Sequence, residues 1–496
     1  MTDAPQVLTF AVVGHPNEGK SSVVSTLTED DTVRITPLPG ETVVCRSFPV
    51  IIDGREMLRF VDTPGFQSPR ATLEWLQAHA GPDMLASFLR QNAGDPRFSG
   101  ELELFRPLAE GAEIIYVLDA SRPLRSIDIA EMEILRMTGI PRMAVINAKE
   151  DDEQYITAWR DELRRHFNAV RIFNALRATY AERIGLLASL KSIDQEWEVP
   201  LCRVIEALED DWLRRITQTA LLIAGLIAQA VTYQVSRSFS PEQEQRVLRD
   251  ELTREYREHI TGLERRTHLG IRRHFKHNIF DCRLPGEIVQ GDDLFEEKTW
   301  RMLGLSPIQV AAAGAVAGGG IGLGLDAIAG GSSLGAFALV GGLLGAGTAL
   351  LGGSRMISYK VTMPRLGPFR FGTSIGDYLL TVGPNRNTQF PYVLLDRALI
   401  FFSRTINWAH ARREVSRDQD EKPEGLVAHF TDTQIRACRT FFEAAGTGDD
   451  MKLQGSRESF VDMIVDLLMS LSLREYWYGR GAHDDSGGGD DPGMRP

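Results

Sequence analysis

The stretch Gly14-His15-Pro16-Asn17-Glu18-Gly19-Lys20-Ser21 decides how the N-terminal part of this chain is read. It matches the pattern G-x-x-x-x-G-K-[ST]. The residues before it, 7–13, form a short apolar, β-branched run that ends at a glycine, so they predict a buried strand. Residues 22–27 read as the start of a helix. Strand, glycine loop and helix in that order are the context in which this pattern binds phosphate, rather than being an ordinary glycine turn. The glycines let backbone N–H groups turn inward, and the helix N-terminus adds its positive end. Lys20 is placed to neutralise β- and γ-phosphates, and the Ser21 hydroxyl to bind Mg2+. Gly14, Asn17, Glu18, Gly19 and Ser22 complete the expected contacts on the phosphate side.

The flanking pattern extends the reading. Residues 43–52 and 56–61 look like strands that turn back on each other around Asp53-Gly54. Residues 113–118, 143–146 and 170–173 are further core strands, with helical patterns at 127–137 and 152–167 between them. Strands alternating with helices predict an α/β domain with a mostly parallel, doubly wound sheet and helices on both faces. Asp62-Thr63-Pro64-Gly65 follows one of these strands. An Asp at that strand end can hold Mg2+ through water. The Gly65 N–H can sense the γ-phosphate, which is how a switch loop is ordered and then released. Upstream, in Pro39-Gly40-Glu41-Thr42, Thr42 is placed to cap the metal and γ-phosphate as a first switch. Lys20, Thr42 and Gly65 are therefore the candidate catalytic residues, with Ser21, Thr42 and Asp62 as the Mg2+ set.

Together, GHPNEGKS, PGET and DTPG resemble the TrmE/Era/EngA/septin-like branch of translation-factor-type GTPases, over about residues 7–180. The resemblance implies a Ras-like fold, GTP and GDP with Mg2+ as ligands, and slow intrinsic hydrolysis. It implies also that the loop asparagine, here Asn17, helps hold a K+ ion that does the work of an arginine finger. The whole chain is similar to a group of bacterial proteins in which such a G domain precedes a C-terminal domain of unknown function. Two departures stand out. Base choice in the family rests on N-K-x-D, whereas this chain carries Asn147-Ala148-Lys149-Glu150-Asp151. In strict register Ala148 takes the asparagine's place. With one extra residue Asn147 serves instead, followed by Lys149 and by Asp151 as the guanine-reading carboxylate. The bland alternative is an acidic surface loop. Asn174-Ala175 resembles the family's base-contacting Ser-Ala pair. The second departure is Phe66, standing where many small GTPases carry a water-orienting glutamine. Gln67 is one position late. Catalytic assistance then has to come from K+, from a residue within 66–110, from self-association as a homodimer or from another partner.

Beyond about residue 195 the character changes. Residues 240–276 predict a long charged helix whose apolar residues Val247, Leu248, Leu252, Tyr256, Ile260 and Leu263 approximate one face. Short strands are expected within 360–382 and helices at 391–412, 433–445 and 456–474. The organisation expected is a G domain over 1–200, a helical region over 201–300, a glycine-rich hydrophobic hairpin over 301–355, a C-terminal α+β domain over 356–480 and a disordered tail over 481–496. Residues 314–353 hold fifteen glycines in forty positions. Gly314/Gly318/Gly322, Gly320/Gly324, Gly331/Gly335 and Gly341/Gly345 repeat the G-x-x-x-G spacing of tightly packed membrane helices. Lys298 and Arg301 flank one end, and Arg355 and Lys360 the other, so both ends prefer the cytoplasmic side. A helical hairpin anchored at the cytoplasmic face of the inner membrane is one reading, with lipid or a membrane protein as partner. A buried hairpin in a soluble domain, or a flexible glycine loop, is the other. The apolar stretch 216–235 is interrupted by Thr217, Gln218, Gln229 and Gln234 and reads as a buried helix.

Composition narrows the partners. A net charge of −12 works against nucleic acid, whose affinity rests on phosphate neutralisation by Lys and Arg. Four scattered cysteines with no C-x-x-C pair argue against zinc and against a disulfide framework. No basic leader precedes the first strand. Three functions fit these readings: a membrane-associated GTPase switch, a soluble GTPase scaffold in an assembly process, and a non-hydrolysing nucleotide-binding module.

Overall fold

A computed structural model of the chain describes residues 7–30, 33, 42–148, 154–239, 245–277, 357–362, 378–410 and 425–484. The N-terminal unit is built from β1 (Thr9–Val13), α1 (Lys20–Thr28), β2 (Arg46–Ile52), β3 (Arg55–Asp62), α2 (Pro69–Ala78), α3 (Met84–Gln91), α4 (Ser99–Ala109), β4 (Glu113–Leu118), α5 (Ser126–Met137), β5 (Arg142–Ile146), α6 (Ile156–His166), β6 (Ala169–Ile172) and α7 (Tyr180–Leu190). The sheet order is β2-β3-β1-β4-β5-β6. β2 runs antiparallel to β3, and the other neighbours pair in parallel. The β2–β3 turn has Asp53 at φ 51° and Gly54 at φ 75°, the two positive values that a two-residue hairpin turn of matching twist needs.

Successive strand side chains point to opposite faces, so each central strand feeds two cores. From β1, Ala11 and Val13 join Ile114, Tyr116 and Leu118 of β4 under the helices α2 to α6. Phe10 and Val12 join Ile115 and Val117 on the other face, against Val23 and Val24 of α1 and Leu186 and Leu190 of α7. Burial on both faces is why these strands read as unbroken apolar runs.

The helix α8 (Gln195–Thr232) is 38 residues long, about 57 Å at 1.5 Å per residue. Its first third belongs to the G domain, since Trp197, Leu201 and Val204 pack into the second sheet core. From Trp212 onward it belongs to the C-terminal unit, through Ile216, Ile223 and Ile227 on one side and Leu226 and Ala230 on another. The domain boundary expected at residue 200 thus falls inside one continuous helix. α8 is long and apolar enough to cross a membrane by length and composition, yet 56% of its apolar window is buried against protein.

The C-terminal unit adds β7 (Val235–Phe239), α9 (Gln245–His274), β8 (Ile357–Thr362), β9 (Tyr378–Asn385), α10 (Phe390–Ile406), α11 (Asp432–Thr447) and α12 (Asp450–Asp484). Its sheet is antiparallel in the order β7-β9-β8. Leu252, Tyr256, Ile260 and Leu263 of α9 are buried as the spacing predicts, whereas Val247 is exposed. β7 is a strand that the sequence reading leaves out. Only Phe239 is buried and Val235 half-buried, and the exposed Arg237 between them hides the alternation. Arg237 meets Glu251 at 3.4 Å and Glu255 at 3.0 Å, both on α9. The helix α12 runs on through Asp484, into the stretch read as a tail. The glycine-rich hairpin expected over 301–355 lies outside the described residues, as do 485–496.

The two units meet at the C-terminal end of α1. Glu29, a buried residue at φ 52°, forms ion pairs with Arg183 (2.6 Å) of α7, Arg215 (2.9 Å) of α8 and Lys276 (3.1 Å) just past α9. Burial opposes its charge, but those three cations hold its carboxyl well below the usual range.

Candidate functional site

The loop between β1 and α1 is shaped by backbone that only small or special residues accept. Gly14 sits at φ 146°, and a Cβ there would lie 2.2 Å from the Val117 carbonyl oxygen. Asn17 and Gly19 also have positive φ, 66° and 93°. α1 then begins at Lys20, so its free N-terminal N–H groups open onto the loop. Lys20 is 7% exposed. It donates to the carbonyls of Gly14 at 3.2 Å and His15 at 2.8 Å. Burial lowers its pKa, against the pull of Asp62, Glu131 and Glu18.

β3 delivers Asp62 to the same place. Ser21 Oγ donates to Asp62 Oδ2 at 2.7 Å, and Thr42 Oγ1 approaches the same oxygen at 3.4 Å. The other carboxylate oxygen, Oδ1, is buried with no hydrogen-bond partner among the described residues. Burial raises the Asp62 carboxyl, countered by Ser21, Lys20 and Thr42. A buried carboxylate with one oxygen unspent, beside two hydroxyls, is a set of hard oxygen donors that fits Mg2+. Next along the chain, Gly65 lies against the loop so closely that a Cβ would meet the Pro16 nitrogen at 2.5 Å. The Phe66 N–H donates to the Gly14 carbonyl at 3.3 Å. The Phe66 ring is buried in the first sheet core. Gln67 turns to α4: its N–H donates to Glu101 Oε1 at 2.7 Å, and its side chain lies over Gly100.

On the other flank, Asn147 joins the phosphate loop to the loop after β6. It is 1% exposed at the end of β5. Its Nδ2 donates to the Glu18 carbonyl at 3.1 Å, and its Oδ1 accepts from the Ala175 N–H at 3.1 Å. The Ala175 carbonyl in turn accepts from Thr26 Oγ1 at 2.8 Å. Asn147, and not Ala148, therefore ties the phosphate loop to the Asn174-Ala175 loop. Lys149 and Asp151 lie outside the described residues. Ser22 is buried in the first turn of α1.

Sequence reading missed the charges that brace the loop. His15 Nδ1 meets Glu131 Oε1 at 2.7 Å, and Tyr116 OH donates to Glu131 Oε2 at 3.0 Å. Burial raises the Glu131 carboxyl, opposed by His15 and Tyr116. Glu18 Oε1 accepts from Arg122 Nη2 at 2.5 Å. Arg122 also reaches Asp128 at 2.8 and 2.9 Å. Burial works against the charge of Arg122, and its bonds to Asp128 and Glu18 raise its pKa nonetheless. The signal was present on α5: Asp128 and Glu131 are fully buried acids, three apart, on a helix whose other inward residues are apolar.

Residues 9–148 match the family described as 50S ribosome-binding GTPase. Residues 160–466 match the family described as Domain of unknown function (DUF3482). The tRNA modification GTPase MnmE of Thermotoga sp. (strain RQ2) is 26% identical over 226 residues, covering 45% of this chain and 43% of that protein. MnmE of Syntrophobacter fumaroxidans is 28% identical over 178 residues, covering 36% and 32%. The chain thus spans less than half the length of these curated relatives. Among solved structures, Aquifex aeolicus Era bound to GDP·AlF4− aligns at 18% identity and a TM-score of 0.27, over 48% of this chain and 74% of that one. NFeoB from S. thermophilus bound to GDP·AlF4− and K+ aligns at 17% identity and a TM-score of 0.25, over 53% and 90%. With 160–466 covering more than half of its length, the chain belongs to the DUF3482 family, and it carries a P-loop GTPase-type G domain at its N-terminus.

Proposed function

We propose that this chain is a GTP-binding and GTP-hydrolysing switch that works with Mg2+ and is coupled through its C-terminal unit to a membrane. One observation carries the nucleotide reading. Ser21 and Thr42 converge on one oxygen of Asp62 while the other stays buried and unspent, beside a lysine held on the loop carbonyls. Mg2+, when bound, neutralises charge that develops on the phosphates. Ser21, Thr42 and Asp62 would hold it, Lys20 would take the β- and γ-phosphates, and the Gly65 N–H would sense the γ-phosphate. In this reading Asn147 takes the asparagine's place, with Lys149 and Asp151 after it in the sequence reading guanine. Competitive binding of GTP against ATP in Mg2+ buffer is the test: GTP should win by tenfold or more, at about 1.4 kcal/mol per factor of ten. Equal competition ends the guanine assignment.

Neither Phe66 nor Gln67 is placed to orient water, which supports outside help for hydrolysis. Asn17 with K+, or a second copy of the chain, supplies it in this reading. Phosphate release should be faster in K+ than in Na+, and Asn17→Ala should remove the difference. Equal rates in both salts would sink the K+ version, and a rate independent of protein concentration the homodimer version. Support for the membrane comes from the glycine spacing and flanking cations of the tract over 301–355. In this reading the protein sits at the cytoplasmic face of the inner membrane. Recovery wholly in the soluble fraction after a carbonate wash would remove that part.

A further inference from the structure

Glu18 is an unexpected occupant of a phosphate-binding loop. A bare carboxylate beside a polyphosphate is repelled within a Debye length, and less screened when buried. Glu18 is 4% exposed. It sits between two residues of left-handed backbone, Asn17 and Gly19, where the loop turns. Its carboxylate is fully engaged on the side of β4. Oε1 takes the Arg122 guanidinium at 2.5 Å, and Oε2 takes the backbone N–H of Asp119.

Arg122 is itself fixed from three directions. Asp128 accepts from both terminal nitrogens, at 2.8 and 2.9 Å. The guanidinium lies 5.3 Å from the centre of the Trp159 ring. The Trp159 indole N–H donates to the Arg122 carbonyl at 2.7 Å. Asp128 is balanced in turn by Arg125, whose backbone N–H donates at 2.8 Å and whose Nη2 donates at 3.2 Å. Two acids and two guanidiniums make a neutral group. Without Arg122, the Glu18 carboxylate has one backbone N–H to hold it, next to the loop that must accept phosphate. The Glu18 carbonyl also accepts from Asn147, so its posture reaches the base side as well.

We propose that Arg122 is a positioning residue for nucleotide: it neutralises Glu18 and turns its carboxylate out of the phosphate cradle. This rests on the nucleotide-binding reading above. The test uses the full-length chain with Mg2+ and three probes, GTP, ATP and inorganic pyrophosphate. Arg122→Ala should weaken GTP and pyrophosphate alike by about tenfold, the order expected for one uncompensated like charge nearby. Glu18→Gln sets the reference for rescue: Arg122→Ala/Glu18→Gln should bind GTP and pyrophosphate within about threefold of Glu18→Gln alone, because removing the charge removes the need for its partner. A double variant about tenfold weaker than Glu18→Gln overturns the proposal, since a merely structural arginine would be missed whether or not Glu18 carries a charge. So does a loss confined to GTP with pyrophosphate unchanged. Arg122→Gln removes the charge while keeping a polar side chain, and serves if the alanine variant does not fold: it should weaken GTP and pyrophosphate alike, and a loss that Glu18→Gln does not relieve is equally fatal. Wild-type protein that binds none of the probes would overturn the nucleotide reading itself, and this proposal with it. Normal wild-type binding with no effect of Arg122→Ala overturns this proposal alone.

Discussion

Lys20 and Arg397 are both cations taken almost wholly out of water, 7% and 1% exposed, one in each half of the molecule. Their surroundings differ in kind. Arg397 of α10 is met by Glu264 of α9 in a two-pronged pair, Nε to Oε1 at 2.5 Å and Nη2 to Oε2 at 3.1 Å. Among the described residues Lys20 hydrogen-bonds only to backbone carbonyls, and one oxygen of the nearby Asp62 has no hydrogen-bond partner. A buried charge matched by its opposite serves architecture, while a buried charge kept on neutral dipoles is waiting for a ligand to complete it.

The sharpest way to break that contrast is to remove one partner of the closed pair. Glu264→Ala strands Arg397 and should cost about 3–5 kcal/mol in denaturant unfolding. Replacing both with methionine should recover most of it without changing nucleotide affinity. A loss below 1 kcal/mol for Glu264→Ala would place that pair outside the closed class.

Asp396, beside Arg397 in sequence, is the exception that sharpens the comparison. It accepts the Val427 N–H at 3.0 Å, and burial pushes its carboxyl up to about 7 from an ordinary 3.8. The folded protein then holds a proton that the unfolded chain releases between about pH 4 and 7. Stability should fall as pH rises through that window and level off above it. At about 1.4 kcal/mol per unit, the effect is at most about 4 kcal/mol. Asp396→Asn should raise the melting temperature at pH 8 and leave it nearly unchanged at pH 4.5. A difference that does not vary with pH would count against this.

The open charge should behave oppositely. Lys20→Ala should weaken GTP about a hundredfold, or about 2.7 kcal/mol, with a melting temperature equal to or above wild type. A protein that unfolds on losing Lys20 would make that lysine structural. The smallest effect is expected at Gly54, whose φ of 75° strains any side chain. Gly54→Ala should cost about 1 kcal/mol of stability and leave nucleotide binding alone.

The same contrast governs what could be read from sequence. The open site is written in contiguous residues, Gly14 to Ser21 and Asp62 to Gly65, because phosphate geometry demands a fixed local backbone. β1, β4 and β5 are legible because burial on both faces leaves unbroken apolar runs. Closed charges are written across distance: His15 with Glu131, Glu18 with Arg122, Arg397 with Glu264. No local period marks such pairs. Arg237 shows the cost, since an exposed arginine between Val235 and Phe239 erased the alternation that would have identified β7. The end of the G domain was hidden for another reason. α8 keeps a helical period throughout while its buried face passes from one core to the next, and periodicity does not report which core receives it.

α1 has a further consequence as a piece of mechanics. It is nine residues long, about 13 Å. One end opens on the phosphate loop. The other is clamped at Glu29 by three cations, two of them carried by helices of the C-terminal half or their immediate continuation. A short rod gripped at its far end transmits rotation instead of absorbing it. Any tilt imposed on α1 at Lys20 must either break the grip on Glu29 or turn Arg215 and Lys276 with it, and with them the 38-residue shaft of α8.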